Sequence, residues 1–348
     1  MSTNLPPYTD LTPNQTRVLI DTTQALETFR ATTRTLRRYA GGMTWKTVRG
    51  SDYLVKILNR RGSTKSLGPR SEETERIHDE FVKGKTAASQ RLEAIESSLK
   101  EFAGMSRGVG INRAPTIVTT ILRRLDEFGF LEKNLMVIGT NALYAYEAAA
   151  AVAFDAGLMG TTDIDLLWDA RSSINLAWFD DDVTEAGVLA VLKKADRSFE
   201  KIEHMGFRAA NSRGFLVDLI KQTPTPPWKK DREAITGADL RPVEIQQVKW
   251  LLSSPKFHAT LIGQDGMPAP IVAPDPRAFA IYKGWLSQRA DRDPRKKRRD
   301  LQQALATVQL VRDRFPHLKF DADIHRLFPQ ETLNQISDLI DIGRRSRV

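Results

Sequence analysis

The sequence predicts an α+β fold, and three features point to it. Short apolar runs of β character at 135–139, 163–168, 207–210 and 215–220 are mixed irregularly with helical stretches instead of following a regular strand-helix repeat. The last two runs flank Asn211 to Gly214, a turn signal that joins antiparallel neighbours. Helical stretches gather towards both ends of the chain. The expected organisation is a mostly helical region over 1–129, an α+β core over 130–222 with a mixed sheet and flanking helices, and a hairpin and helical region over 223–348.

Taken in order, Thr12 and Pro13 read as a cap and first helical position and Gly41 with Gly42 as a stop. One helix is therefore expected over 13–40, with Val18, Leu19, Leu26, Phe29 and Leu36 broadly on one face. Ser51 to Leu58 reads as a β segment, followed by a basic loop from Arg60 to Pro69. Ser71 with Glu72, Glu73 and Glu75 reads as the capped start of a long polar helix to Phe102, weakened at Gly84, whose sparse apolar positions suit an exposed or interdomain arm. A loop from Gly104 to Pro115 leads to a short helix over 116–128, stopped by Gly129. Core helices are expected at 140–151 and 184–196. KQTPTPPWKK (221–230) reads as a proline-rich break. Asp265 and Gly266 signal a turn between strands at 257–262 and 270–272, and 276–290, 294–313 and 331–343 read as helices.

At 348 residues the chain is long enough to bury a sizeable core. Its 41% hydrophobic and 27% charged residues match an ordinary soluble globular protein, and no window approaches the ~20 apolar residues of a membrane helix. MSTNLPPYTD lacks the basic-then-apolar pattern of a secretory signal, so the cytoplasm is the expected location. The lack of cysteine excludes disulfides, thiolate zinc sites and a cysteine nucleophile, and the five histidines form no pair at metal spacing. An excess of 52 Lys and Arg over 43 Asp and Glu gives +9 and a pI near 9.7, which permits a polyanionic partner such as nucleic acid or a nucleoside triphosphate. Basic residues cluster at 59–65 and 287–300.

The chemistry gathers between Leu135 and Asp169. Met136 to Ile138 read as a buried strand, Gly139 and Thr140 as the turn leaving it, and Asn141 to Ala151 as a helix, which together make a cradle for a phosphate. Asp163 and Asp165 flank Ile164, so on a strand both carboxylates share one face and can grip a divalent metal together. Such a pair also serves to cap a helix or bind solvent. Asp218 adds a third carboxylate inside the apolar run FLVDLI, where an unpaired acid would be costly to bury. It calls for a metal, a cation or a substrate, and an ion pair with Arg208 or Arg213 is the structural alternative. The acidic triplet Asp180 to Asp182 lacks calcium-loop spacing, and Gly108 and Gly110 form no dinucleotide fingerprint. Trp45, Trp178 and Trp228 suit packing better than base stacking.

A strand, a Gly-Thr turn, a helix and then an Asp-Ile-Asp strand resemble the DNA-polymerase-β-like nucleotidyltransferase superfamily, whose signature is a Gly-Gly or Gly-Ser turn followed by Asp-hydrophobic-Asp. More widely, IGTNALYAYEAAA, TTDIDLLWDAR, DRSFE, GFLVDLI, IGQDGMPAPIVAPDPRAFAIYKGWLSQR and KRRDLQQA resemble the bacterial GSU2403-type nucleotidyltransferase-fold family over roughly residues 45 to 330. The resemblance implies a polymerase-β-like core between helical regions. It also implies metal-dependent transfer of a nucleoside monophosphate from a nucleoside triphosphate by in-line attack on the α-phosphorus. Asp163, Asp165 and Asp218 would be the catalytic residues, holding Mg²⁺ or Mn²⁺, with Gly139 and Thr140 cradling the triphosphate.

Cations from a following helix serve the triphosphate in that superfamily, which makes Lys283, Arg289 and Lys297 the nucleotide-binding candidates. Lys283 stands out because Phe279, Ile281, Tyr282 and Trp285 surround it, and a lysine in apolar surroundings needs an anion. Lys296, Arg298 and Arg299 read as a solvated basic face. The expected partners are a nucleoside triphosphate and an acceptor that is RNA or tRNA, a protein or a small molecule, with no membrane; oligomeric state stays open. The alternative is a non-catalytic nucleic-acid-binding or toxin-antitoxin-type regulatory module that keeps the fold. It draws on the basic clusters, the polar arm and the gap of 24 positions from Gly139 to Asp163.

Overall fold

Two long helices pack side by side in the N-terminal region and carry a small sheet between them. The computed structural model describes residues 6–58, 62–131, 133–170, 181–224 and 239–341. After β1 (Tyr8–Asp10), α1 (Pro13–Arg37) starts at a capping box. The Gln15 amide donates to Thr12 Oγ1 and the Thr12 amide to Gln15 Oε1, which satisfies two amides at the helix start. Strands β2 (Gly42–Val48), β3 (Ser51–Ile57) and β4 (Thr64–Pro69) form an antiparallel meander, so the end of the expected basic loop is a strand. Helix α2 (Glu72–Val109) returns along α1. It runs unbroken through Gly84, where a side chain would overlap the ring of Tyr39, so this glycine makes room for the residue just past the end of α1 rather than interrupting a helix. The helix also continues through Gly104 and Gly108 to its left-handed cap at Gly110, so most of the expected 104–115 loop is helical.

Helix α3 (Thr116–Glu127) leads into β5 (Leu135–Ile138), a 3-10 turn (Gly139–Ala142), α4 (Leu143–Ala150), β6 (Val152–Phe154), α5 (Ala156–Met159) and β7 (Asp163–Trp168). The expected helix over 140–151 thus opens with one tighter turn. β6 and β1, each three residues long, were not expected from the sequence, and they pair antiparallel. Helix α6 (Asp181–Ala195) breaks at Gly187, and its second half is capped by Asp239, whose carboxylate accepts from the amides of Val188 and Leu189. Then come β8 (Glu200–Lys201), β9 (Arg208–Ala210), β10 (Leu216–Lys221) and β11 (Val243–Glu244).

Among the described residues these strands form one mixed sheet in the order β5-β7-β10-β9-β8, with β11 pairing the later half of β10. β10 is parallel to β7 and β11, while the other neighbours are antiparallel. The fold is therefore mixed α+β. Helix α7 (Lys249–Ser253), the hairpin β12 (Lys256–Ile262) and β13 (Pro268–Pro274), α8 (Pro276–Gln288) and α9 (Pro294–Arg314) follow. The last segment is three short helices, α10 (Ala322–His325), α11 (Gln330–Gln335) and α12 (Ser337–Asp341), in place of the expected single helix over 331–343. The main core is continuous from Val118 and Ile121 of α3, through Val137, Ile164 and Val217 of the sheet, to Phe279 and Ile281 of α8 and Leu310 of α9. No helix among the described residues is long and apolar enough to cross a membrane. Arg60, Arg61, Trp178, Asp180, Trp228, residues 225–230 and residues 342–343 lie outside the described residues.

Candidate active site

One row across the sheet gathers the expected carboxylates. In register from β5 through β7 and β10 to β9 it reads Ile138, Asp165, Asp218 and Arg208. Residues directly opposite one another share a face, and Asp163 stands two positions from Asp165 on that same face. Asp163 is held at the strand's start: Thr161 Oγ1 donates to its carboxylate and Asn141 Nδ2 donates to its carbonyl, at 2.7 Å.

Gly139 lies directly after Ile138 with φ 68°, and a Cβ there would overlap the Asp165 carboxylate. The glycine therefore does more than turn the chain, since it leaves the acid its space. Burial, and then the carboxylates of Asp163 and Asp218, push the Asp165 carboxyl up to about 7 despite the opposing pull of Lys283 and Lys296. Three acids on one face thus hold negative charge that the protein's own cations do not fully balance.

Thr140 is not a helix cap. Its hydroxyl oxygen accepts from Arg299 Nη2 at 2.5 Å and from Gln303 Nε2 at 3.2 Å, which pins α9 to the turn. Arg299 also donates to the Gly160 carbonyl, at 3.0 Å, and Gln303 to the Leu158 carbonyl, at 2.8 Å. Lys296, Arg299 and Gln303 fall at i, i+3 and i+7, one stripe of α9 turned towards the carboxylates and the turn. Lys296 and Arg299 were expected on a solvated face, and Gln303 had not been singled out. That helical spacing was the available signal.

The anion that Lys283 needs comes from the chain itself. Its Nζ, buried with the rest of the side chain, donates to Asp300 Oδ1 at 2.7 Å, and Arg292 Nε donates to Asp300 Oδ2 at 2.8 Å. Burial pulls the Lys283 ammonium below its ordinary pKa, with Asp300 opposing. Arg289 forms a two-point pair with Asp291, at 2.6 and 2.8 Å, and stacks over the Trp285 ring. Lys297 is half-exposed on α9, on the side of Asp291. The structure therefore brings Asp163, Asp165, Asp218, Gly139 and Thr140 together, with Lys283 close behind them. It places Arg289 and Lys297 together on the Asp291 side.

Asp218 takes the structural alternative, an ion pair with Arg208, through Nε to Oδ1 and Nη2 to Oδ2, both at 2.6 Å. Carboxylate oxygens are the hard donors that Mg²⁺ and Mn²⁺ take, and the charge crowding at Asp165 is what a cation would relieve. Among the described residues no three acidic or histidine side chains already converge at metal-ligand geometry, and Asp218 faces Arg208. The acids of β7 are the kind of oxygen donors a hard cation would take, and Asp218 would join them only by sharing its carboxylate with Arg208.

The sequence model of a nucleotidyltransferase family matches residues 116–328, more than half of the chain and a span that includes every residue of this site. No curated protein and no solved structure matches the chain. With that match and this set of acids, the chain belongs to a nucleotidyltransferase family.

Proposed function

We propose that the protein is a metal-dependent nucleotidyltransferase with a polymerase-β-like core, of the GSU2403 type, that transfers a nucleoside monophosphate from a nucleoside triphosphate to an acceptor hydroxyl. One juxtaposition carries this reading: Asp163, Asp165 and Asp218 share a face at the strand ends beside a turn whose glycine has no room for a side chain. Asp163 and Asp165, with Asp218 completing the set, would hold Mg²⁺ or Mn²⁺, which would supply charge neutralisation for the triphosphate and the leaving pyrophosphate.

The chain's own residues do the rest. Backbone at Gly139 and Thr140 leaves the phosphates a close approach, while Lys296 and Arg299 set positive charge along one side of them. Lys283 adds charge from behind while remaining bonded to Asp300. Arg289 and Lys297 extend the basic surface beyond Asp291 for the outer part of the nucleotide. The acceptor oxygen bonds the α-phosphorus as the bond to the pyrophosphate oxygen breaks, and the acceptor proton leaves on the Asp218 side. The acceptor is RNA or tRNA, a protein or a small molecule.

Isothermal titration with each nucleoside triphosphate, with and without Mg²⁺, tests the first half. Metal-dependent binding that is lost in Asp165→Asn is the expected result, and no metal-dependent binding to any triphosphate would overturn it. Labelled triphosphates added to a cell extract then identify the acceptor by what becomes labelled.

A further inference from the structure

The largest excess of positive charge lies in the N-terminal region of the chain. Residues 28–70 contain eleven Lys and Arg against a single acid, Asp52, so this stretch carries +10 while the rest of the chain sums to −1 within the total of +9. Its described part is the end of α1 and the β2-β3-β4 meander, while Arg60 and Arg61 lie outside the described residues. Lys46, Arg49 and Lys65 are exposed and Lys56 is half-exposed, and none of the four is ion-paired among the described residues.

Two of these lysines are placed at a cost. Lys56 of β3 and Lys65 of β4 are directly opposed in register. Like charges directly opposite one another destabilise a sheet, so the pair weakens the meander unless an anion lies across it. Beside it Lys85 of α2 reaches the Gly41 carbonyl at the entry to β2, which adds another cation near the same edge. On the other face Lys46 is opposite Tyr53. Arg70 lies over the Trp45 ring at 5.1 Å, so aromatic and cationic groups are interleaved on this small sheet.

The location separates this surface from the catalytic candidate. Arg30 bonds Asp126 through two nitrogens and Arg37 donates to the Glu127 carbonyl, which ties the end of α1 to the end of α3. Residues 128–134 then enter β5 at Leu135, and Gly139 lies past the opposite end of that strand. The end of α1, from which the meander springs, thus lies towards the start of β5, and Gly139 follows its end. A ligand of this surface needs many regularly spaced negative charges, which a phosphodiester backbone provides.

We propose that the β2-β3-β4 meander with the end of α1 is a nucleic-acid docking surface, which grips the phosphodiester backbone independently of the transferase site. Fluorescence anisotropy with labelled 20-base-pair RNA and DNA duplexes across a salt series tests this on the full chain. The wild type binds at low salt with a steep salt dependence, whichever duplex it prefers, and Asp165→Asn binds equally well. Lys56→Glu/Lys65→Glu, the opposed pair on one face, weakens binding at least ten-fold and lowers the slope of log Kd against log salt by about two. Lys100→Glu/Lys133→Glu, which makes the same net-charge change on other exposed positions, leaves binding within about two-fold of wild type by the same phosphate-contact logic. The gentler Lys→Gln pair at 56 and 65 shows the same direction if charge reversal disturbs the sheet. Absence of duplex binding, equal losses in the two double variants, or equal displacement by polyglutamate would overturn the proposal.

Discussion

Gly139 and Asp165 compete for one volume, because any side chain at Gly139 would overlap the Asp165 carboxylate. Gly139→Ala meets that overlap and also a φ of 68°, where side chains are strained, so a stability loss on the order of 1–3 kcal/mol is expected. Activity should fall further than stability, by about a hundred-fold, because the carboxylate must move to make room. Thermal melting and kcat/KM measured on the same preparation separate the two effects. Normal kcat/KM in Gly139→Ala would show that Asp165 has freedom to move.

Arg208→Ala leaves the Asp218 carboxylate with its two-point partner gone in a largely buried setting. A loss on the order of 3 kcal/mol is expected for breaking one side of such a pair. Adding Asp218→Asn should recover part of it, since no unpaired charge then remains. Urea denaturation of the two single variants and the double variant checks this. A simple sum of the two single losses would mean the pair is not coupled.

Lys283→Ala should destabilise before it affects nucleotide binding. It leaves the buried Asp300 with Arg292 as its remaining partner, at a cost on the order of 3 kcal/mol. Arg299→Ala, by contrast, removes a half-exposed cation from beside Thr140 and should weaken triphosphate binding about ten- to hundred-fold with a small change in melting. Lys65→Ala should leave triphosphate binding unaltered. If Lys283→Ala stays fully stable while losing the nucleotide, the Asp300 pair contributes little.

Stability of the metal-free protein should depend on pH through Asp165. Its carboxyl is raised from 3.8 to about 7 in the fold, so between these values the unfolded chain has released a proton that the folded chain keeps. The contribution is fully present below pH 3.8, shrinks as pH rises by about 1.4 kcal/mol per unit at most, and is gone above about 7. Denaturation in a chelator at pH 5, 6, 7 and 8 should show wild type losing stability relative to Asp165→Asn up to pH 7 and running parallel above it. Parallel curves over the whole range would remove the raised carboxyl.

The strands that carry the acids were legible because their patterns are local. Asp163 to Trp168 has the alternation and length of a strand, and the Asn211 to Gly214 turn sets β9 against β10. The same hairpin arithmetic places Arg208 opposite Asp218, so that ion pair was within reach of the sequence. The Lys283 partner was not, since Asp300 lies on the next helix and only the packing of α8 on α9 brings them together. The glycines of α2 misled in the other direction. Gly84, Gly104 and Gly108 each cost a helix roughly 1 kcal/mol, which reads as a break, yet packing along α1 and onto the hairpin offsets it. β1 and β6 are too short to carry a pattern, and each is a strand because the other is beside it.

Helix α9 is fastened at both ends. Arg299 and Gln303 hold its beginning to Thr140, while near its end Asp313 accepts from the Tyr8 hydroxyl at 2.6 Å and Arg314 pairs with Asp10. A rod of 21 residues spans about 30 Å, so β1 and the turn at Gly139–Ala142 are the two ends of one lever. Trimming the first ten residues, or fusing a rigid tag against Tyr8, would loosen the far end of that lever and let Arg299 swing away from Thr140.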